Sequence, residues 1–253
     1  MSKVYVITSG KGGTGKTTTA VNLGAALNKF EEDVIIVDGN IMTPNVGLHF
    51  GAPTVPVSLS HVLEKNAEIE EAVYEHKSGT KIVPCSLSYD KIEEGHKEAM
   101  GNLTSELKEF SDHIIIDSAA GLGDEADMAL DNADEVIIVT NPNTLSVTDS
   151  LKMIKKAEEK GKKIRGVIIT RKKDKKHEMS LDDIRDMLEV PILGIVPEDE
   201  SIEESLAKKN AVIHIRPKSK ASKSYQDIAA NILGKKKKPK SLFQKALEKI
   251  GLR

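Results

Sequence analysis

A glycine-rich string between an apolar run and a helical pattern constrains this chain more than any other feature. Residues 10 to 18 read Gly-Lys-Gly-Gly-Thr-Gly-Lys-Thr-Thr; the apolar run Val4–Ile7 precedes them and a helical pattern runs over Lys16–Asn28. A glycine-rich turn between a buried strand and a helix N-terminus points several backbone N–H groups inward, where they can hold a phosphate chain. The spacing matches the phosphate-loop pattern G-x-x-x-x-G-K-[ST], so we predict that the chain binds a nucleoside triphosphate.

The residues of this loop have separate expected roles. The glycines allow backbone dihedral angles that a side chain would forbid, and they let phosphate oxygens approach closely. Lys16 can reach the β- and γ-phosphates, and the hydroxyl of Thr17 can ligate Mg²⁺. A turn of the same composition that holds no ligand is the alternative interpretation. The predicted nucleotide contacts of the loop are Gly10, Lys11, Gly12, Gly13, Thr14, Gly15, Lys16, Thr17 and Thr18.

A second lysine, Lys11, is not required by the phosphate-loop pattern. The string from Lys11 to Thr18 resembles the deviant Walker A motif of the MinD/ParA family of P-loop ATPases. In that family the extra lysine crosses a nucleotide-sandwich dimer to the phosphates of the partner. The resemblance therefore implies an ATP-dependent homodimer in which Lys11 acts on the other subunit, whereas a solvated loop lysine would predict no dimer.

Length and composition exclude several classes of protein. A chain of 253 residues suffices for one large α/β domain with a sizeable core. No apolar run approaches the roughly 18 residues of a membrane span, so we expect no transmembrane helix. The first strand begins within three residues of the N-terminus, which leaves no room for a signal peptide and predicts a cytoplasmic protein. Cys85 is the only cysteine, so intrachain disulfides and Fe–S sites are not expected.

The alternation of apolar runs and helical patterns predicts a doubly wound α/β fold with a mostly parallel sheet covered on both faces. Further strands are predicted at Val34–Val37, Lys81–Val83, His113–Ile116, Glu135–Val139, Ile164–Ile169 and Ile192–Val196. Further helices are predicted at Ser58–Lys65, Tyr89–Phe110, Glu125–Asp131, Thr144–Lys160, Ser180–Leu188 and Ser219–Leu233. Ser180 and Asp183 resemble a capping box. The expected organisation is a P-loop domain over residues 1–233, a basic linker over 234–240 and an amphipathic helix over 241–253.

An aspartate after a buried strand predicts the metal site. Asp117 follows three isoleucines, and Gly121 lies four positions further on. In this Walker B interpretation the aspartate holds the Mg²⁺ shell through water, and Gly121 offers its N–H to the γ-phosphate. Ligands in an open sheet lie beyond the carboxyl ends of strands, where the P-loop, Asp38 and Asp117 all fall. The predicted metal ligands are Thr17, Asp38 and Asp117.

The segment from Asp38 to Asn45 resembles the switch segment Asp-x-Asp-x-x-x-x-Asn of the same family. Asn40 stands where the family has its second aspartate, which helps to position the attacking water. Loss of a carboxylate that acts as a base can cost about 10²–10⁴ in rate, although an amide can still orient water. We therefore predict a slow ATPase. Its catalytic residues are predicted to be Lys11, Lys16, Asp38 and Asn40.

Two strand ends resemble the adenine-side loops of the MinD branch, which implies that the Arg171 guanidinium packs on adenine while backbone groups read its edge. The implied adenine-side residues are Thr170, Arg171, Pro197, Glu198 and Asp199. The stretch around Thr140–Pro142 and Ser146–Ser150 resembles the sheet-to-helix switch of the family, with an ordinary turn as the alternative. The basic residues 171–176 favour a solvated loop, with contacts to DNA phosphates as the alternative.

The last twenty residues form a basic tail on an acidic body. They hold eight basic residues and one acidic residue, a net charge of +7, which leaves −9 for the rest of the chain. After Pro239, five apolar side chains fall within an arc of about 140° on a helix. This pattern favours binding to an anionic membrane, with docking on the protein's own body or on nucleic acid as alternatives. The predicted membrane contacts are Leu242, Phe243, Lys245, Leu247, Lys249 and Ile250.

MinD proteins likewise end in a short membrane-targeting helix, so the resemblance implies the same use of this tail. The sequence as a whole predicts a MinD-like switch that binds Mg-ATP, dimerises, hydrolyses ATP slowly and docks reversibly on the inner face of the cell membrane to position cell components. We expect a regulatory or cargo protein of unknown identity as partner. The alternative function is a ParA-like DNA-partitioning ATPase that uses basic surface loops.

Overall fold

The fold is built on one eight-stranded, mostly parallel sheet. The computed structural model describes residues 2–87 and 95–235. The strands are β1 Lys3–Ser9, β2 Val34–Gly39, β3 Tyr74–Glu75, β4 Lys81–Val83, β5 His113–Ala120, β6 Glu135–Thr140, β7 Lys163–Lys172 and β8 Ile192–Pro197. They lie in the order β3-β4-β2-β5-β1-β6-β7-β8, and every neighbouring pair is parallel except β3 with β4. The doubly wound α/β fold is confirmed.

Ten α-helices and one 3₁₀ helix accompany these strands in the described ranges. The helices are α1 Lys16–Asn28, α2 Val46–Phe50, α3 Leu59–Leu63, α4 His96–Leu107, α5 Asp124–Asp131, α6 Thr144–Glu159, α7 Leu181–Leu188, α8 Glu200–Ala207, α9 Val212–Ile215 and α10 Lys220–Ile232, with the 3₁₀ helix at Ile69–Ala72.

Alternate residues of each central strand point into two separate cores. In β1, Val4 and Val6 belong to the core under α4, α5, α6 and α7, whereas Tyr5 and Ile7 belong to the core under α1 and α10. Because both faces of the strand are covered, neither set of side chains meets water, and the strand reads as a continuous apolar run. The helix layers thus leave the carboxyl ends of the strands free for a site.

Helix α4 differs from its predicted extent of Tyr89–Phe110. Residues 88–94 lie outside the described part of the chain, and the helix ends at Leu107. There the N–H of Phe110 turns back to the Leu107 carbonyl, which also accepts the hydroxyl of Ser111. A tightened last turn and a side-chain bond of this kind satisfy the terminal carbonyl and end the helix.

The capping box expected at Ser180 is only half formed. The Ser180 hydroxyl accepts the N–H of Asp183 at 3.1 Å, as expected. The Asp183 carboxylate, however, accepts that same hydroxyl at 2.6 Å rather than the backbone N–H of Ser180. Helix α7 is therefore capped by one side chain and not by a reciprocal pair.

The chain end is described only as far as the start of the predicted linker. Helix α10 ends at Ile232, and Gly234 just after it is left-handed (φ 65°). The N–H groups of Gly234 and Lys235 donate to the carbonyls of Asn231 and Ala230. Glycine at this position terminates helices. The predicted tail helix and its contacts, Leu242 to Ile250, lie outside the described residues. Within those residues we find no helix that combines the length and apolarity of a membrane span.

Candidate functional site

A cleft of about 530 Å³ at the carboxyl edge of the sheet brings most of the predicted phosphate-side residues together. Its walls come from the loop between β1 and α1, from the segment after β2 and from the start of α5. Residues that carry chemistry in its walls include Lys16, Thr17, Asn40, Thr43, Glu125 and Arg171. Its size falls within the range of about 300–1,000 Å³ that small-molecule sites occupy.

The glycines of the loop serve different purposes. Gly13 (φ 75°) and Gly15 (φ 94°) adopt left-handed conformations, and Gly15 precedes the first residue of α1. Gly10 has no such angle; a Cβ at Gly10 would overlap the main-chain carbonyl of Asp149 in α6. The structural reason for glycine at this position is therefore the close approach of a helix, and the predicted contact of Gly10 with phosphate stays a prediction.

Lys16 lines the cleft and lies near Asp117, which is fully buried behind it. Only 9% of Lys16 is exposed, and burial lowers its pKa while the charge of Asp117 opposes that shift. Burial raises the pKa of Asp117 to about 6, against the effects of the Thr17 hydroxyl and of Lys16. Although Thr17 lies near, neither oxygen of Asp117 is in hydrogen-bonding geometry with any described residue. A buried carboxylate without a partner requires an explanation, and a Mg²⁺ ion at this point supplies one.

Asp38 stands beside Asp117 on the neighbouring strand. The two are register partners in β2 and β5, and both are fully buried. Oδ2 of Asp38 accepts the N–H groups of Asn45 and Val46, each at 2.9 Å, and so caps α2, whereas Oδ1 has no partner among the described residues. Burial, followed by the charge of Asp117, raises the pKa of Asp38 well above its ordinary value. Two adjacent buried carboxylates need a cation to remain ionised, which fits the predicted metal site.

Side chains of the segment that follows β2 form hydrogen bonds within that segment. The amide of Asn40 donates to the Thr43 carbonyl at 2.6 Å and accepts the Thr43 hydroxyl at 3.0 Å. The N–H of Met42 donates to Oε1 of Glu125 at 2.8 Å. This segment is therefore held by hydrogen bonds within itself and by a hydrogen bond to α5.

Thr170 holds the P-loop in place. Its hydroxyl lies 2.6 Å from the Thr14 carbonyl and 3.1 Å from the Thr140 carbonyl, and it accepts the Asn141 amide at 2.9 Å. It is 4% exposed. The Thr170 side chain thus joins β6 and β7 to the loop, and its predicted place on the adenine side stays a prediction that concerns its backbone.

The other adenine-side residues meet in a second, smaller cleft of about 150 Å³ that shares Gly15 and Thr18 with the loop. Arg171 lines both clefts, and its backbone is left-handed (φ 54°). The residues that the sequence assigned to this side and that line the smaller cleft are Thr170, Arg171, Pro197, Glu198 and Asp199. The structure therefore brings these strand ends next to the P-loop, as the resemblance implied.

The Asp199 carboxylate accepts hydrogen bonds from backbone N–H groups at the N-termini of two helices. It accepts the N–H of Ser201 at 3.0 Å in α8 and the N–H of Ala221 at 2.9 Å in α10. Burial alone would raise its pKa, but these hydrogen bonds hold the pKa below its ordinary value. The Asp199 carboxylate therefore has a structural role as the cap of two helices.

The N–H of Gly121 has a partner other than the one predicted for it. The N–H of Gly121 donates to the Ser9 carbonyl at 2.9 Å, and its backbone is left-handed (φ 87°). The predicted bond from this N–H to a γ-phosphate is therefore not available in this structure. Lys11 is exposed and lines neither cleft of its own chain in the described residues.

Two lysines of the basic loop 171–176 are paired within the protein. Lys172 lies 2.6 Å from Glu178 and 2.9 Å from Asp174, and Lys173 lies 3.4 Å from Glu198. This pairing leaves fewer free charges for DNA phosphates than the sequence suggests.

Sequence analysis missed Glu125, Met42 and Asn141 as site residues. The only available signal for Glu125 was its place in an acidic first turn, directly after the loop that follows Asp117. Nothing in the pattern around Met42 or Asn141 indicated their long-range partners.

Comparison with known proteins agrees with this geometry. The model of the CobQ/CobB/MinD/ParA nucleotide binding domain matches residues 5–212. An uncharacterised ATP-binding protein of Methanocaldococcus jannaschii is 35% identical, over 93% of this chain and 89% of its own length. The septum site-determining protein MinD of Neisseria meningitidis is 34% identical, over 96% of this chain and 95% of its own length.

Solved structures show the same relationship. MinD of Pyrococcus horikoshii, complexed with Mg-ADP, has a TM-score of 0.83 and 30% identity, with 92% of this chain and 96% of that chain covered. The MinC:MinD cell division complex of Aquifex aeolicus has a TM-score of 0.85 and 30% identity, with 93% and 97% covered. The chain belongs to the CobQ/CobB/MinD/ParA family of nucleotide-binding domains and resembles its MinD members.

Proposed function

We propose that this protein is a MinD-like ATPase that dimerises across bound Mg-ATP and docks reversibly on an anionic membrane. Its cofactors are ATP and Mg²⁺. The observation that carries the proposal is the pair of buried, incompletely bonded carboxylates, Asp38 and Asp117, close to Lys16, which lines the P-loop cleft. In the Pyrococcus relative the same fold is complexed with Mg-ADP.

The residues of the chain divide the work of nucleotide binding. The N-terminus of α1 and the turns at Gly13 and Gly15 direct N–H groups at the phosphates. Lys16 places a buried positive charge on the β- and γ-phosphates. Thr17, Asp38 and Asp117 would hold Mg²⁺, which supplies positive charge to the phosphate oxygens. Arg171 would pack on the base from its position between the two clefts.

Dimerisation is proposed from the position of Lys11. Its side chain is exposed and faces neither cleft of its own chain, so it is free to reach the phosphates of a partner. Hydrolysis is proposed to be slow because Asn40 offers an amide where the family has a carboxylate. The Aquifex relative forms a complex with MinC, which supports a regulatory or cargo partner for this chain as well.

The basic tail supports reversible docking on the cytoplasmic face of the membrane. In this proposal residues 1–233 form the ATPase domain, 234–240 a basic linker and 241–253 a membrane-binding helix. DNA partitioning is disfavoured because Lys172 and Lys173 of the basic loop are already paired with Glu178 and Glu198.

Two lysine variants test the proposal. Lys16→Ala should remove most ATP binding measured by calorimetry. Lys11→Ala should retain ATP binding but block the ATP-dependent monomer-to-dimer shift measured by light scattering. The matched control is Lys77→Ala, which removes an exposed lysine in the turn between β3 and β4. Unchanged ATP binding in the first variant, or unchanged dimer in the second, would refute the corresponding role.

A further inference from the structure

One carboxylate in the phosphate-side cleft has no assigned role. Glu125 is half-buried in the first turn of α5 and lines the same cleft as Lys16, Thr17 and Asn40. Among the described residues that line this cleft it is the only acidic one. Oε1 accepts the Met42 N–H at 2.8 Å, whereas Oε2 carries no hydrogen bond within the described part of the chain. One oxygen is thus fixed and the other is free to bind water.

Two other carboxylates near the cleft are already assigned to the predicted metal site. Asp38 also caps α2 through Oδ2, and Asp117 is buried next to Lys16 and Thr17. The Asn40 amide is bonded at both ends to Thr43 and cannot accept a proton from water. An additional negative charge in a cleft that binds phosphates is unfavourable unless another interaction offsets it, because like charges repel. Glu125 therefore calls for a chemical role.

We propose that Glu125 orients the attacking water and accepts its proton, in place of the carboxylate that is absent at position 40. This inference rests on the proposed ATPase function. The water oxygen forms a bond to the γ-phosphorus, while the bond from that phosphorus to the β,γ-bridging oxygen breaks and its electron pair leaves with ADP. The proton passes to Oε2 of Glu125 and then to solvent, so that ATP and water yield ADP, phosphate and one proton.

The contact with Met42 places this carboxylate. Because the Met42 N–H holds Oε1, the carboxylate is fixed by the same segment that carries Asn40 and Asn45. The competing role is structural: Asp124, Glu125 and Asp127 all lie in the first turn of α5, where negative charge stabilises a helix. A test must separate proton acceptance from this helix-end effect.

The test uses the full-length protein with ATP and Mg²⁺. Glu125→Gln keeps an acceptor for the Met42 N–H but cannot take a proton, so turnover should fall by about 10²–10⁴ with ATP affinity unchanged. The ATP-bound dimer should live correspondingly longer by light scattering. Asn40→Asp, added to Glu125→Gln, should restore part of the turnover. The matched control is Asp124→Asn, which removes one exposed negative charge from the same helix turn.

Hydrogen exchange at the Met42 amide tests the contact between Met42 and Glu125 independently of ATP turnover. Protection should persist in Glu125→Gln and disappear in Glu125→Ala. The inference is overturned if wild type hydrolyses ATP and Glu125→Gln does so equally fast, or if Asp124→Asn slows turnover as much. A wild-type protein that neither binds nor hydrolyses ATP would instead overturn the proposed function itself. If Glu125→Gln itself loses protection at the Met42 amide, Glu125→Asp is compared with Glu125→Ala instead. Turnover should then be faster in Glu125→Asp than in Glu125→Ala.

Discussion

Gly10 lies directly against the main-chain carbonyl of Asp149, so that the P-loop begins in contact with the backbone of helix α6. The contact fixes the first residue of the loop relative to the helix that follows β6. Lys11 comes next in the chain and is exposed. The position from which Lys11 reaches outward is therefore set by a helix more than a hundred residues away in the sequence.

We expect Gly10→Ala to destabilise the nucleotide-free protein by about 1–3 kcal/mol, because the added methyl group meets backbone rather than a side chain that can move. Gly12→Ala is the matched control: a Cβ there meets no atom within 4 Å, so its effect on unfolding should stay within about 0.5 kcal/mol. Urea unfolding without nucleotide measures both. Equal stability of the two variants would contradict the contact with Asp149.

Thr170→Val should loosen the P-loop. The valine cannot donate to the buried Thr14 carbonyl or accept from Asn141, and an unsatisfied buried polar group costs about 1–3 kcal/mol. ATP affinity by calorimetry and the free energy of unfolding should both fall, whereas Thr170→Ser, which keeps the hydroxyl, should preserve most of both. If valine weakened ATP binding without lowering stability, a direct contact with the nucleotide would be the better explanation.

We expect Asp199 to make the free energy of unfolding depend on pH in the acidic range. Its pKa in the folded protein lies below the ordinary value. Its contribution is therefore complete above the unfolded pKa of about 3.9 and is lost as the pH falls through the folded pKa. Asp199→Ala should lower the free energy of unfolding at pH 7 by about 0.5–2 kcal/mol, the usual cost of a lost helix cap.

Urea titrations of wild type and Asp199→Ala between pH 7 and pH 3 measure this effect. The difference between them should be constant above pH 5 and shrink below about pH 4. Asp199→Asn, which retains an acceptor without the charge, should lie between the two at pH 7. A difference that grows on acidification would have the wrong sign for a carboxylate that caps two helices.

The tail should bind membranes chiefly in the ATP-bound dimer. A ten-residue helix is marginal in water, and each basic residue near an anionic surface contributes only about 1 kcal/mol. Two tails on one dimer make the second contact intramolecular, which can raise the avidity by about 10²–10⁴. Anionic liposomes should therefore sediment the ATP form more than the ADP form, and should hardly sediment a chain that ends at Gly234.

A pair of single substitutions separates the apolar arc from net charge. Phe243→Glu and Gln244→Glu change the charge equally, but only Phe243 lies on the predicted arc. Sedimentation should fall strongly for the first and slightly for the second. Equal loss would point to charge alone and favour a nucleic-acid role, which DNA co-sedimentation would then reveal.

Local patterns determined the fold class and the centre of the site. Helix α1 spans Lys16–Asn28 as predicted, because the glycine-rich loop before it and the apolar residues along it are features of neighbouring residues. Strand ends placed Asp38 and Asp117 at one edge, since parallel strands bring their carboxyl ends together. Helix α8 was missed although Asp199 caps it, because Ser205 is its one buried residue and little of its sequence shows the apolar periodicity of a packed helix.

The sequence by itself determined a P-loop α/β protein with paired aspartates at a common sheet edge, since strand burial and loop chemistry act over a few neighbouring residues. Tertiary structure alone decided what the remaining site residues do. Thr170 meets Thr14 across 156 positions, and Met42 meets Glu125 across 83. These pairs form because the close packing of separate elements brings buried backbone groups next to donors and acceptors that are distant in the sequence. No local sequence pattern indicates such a partner.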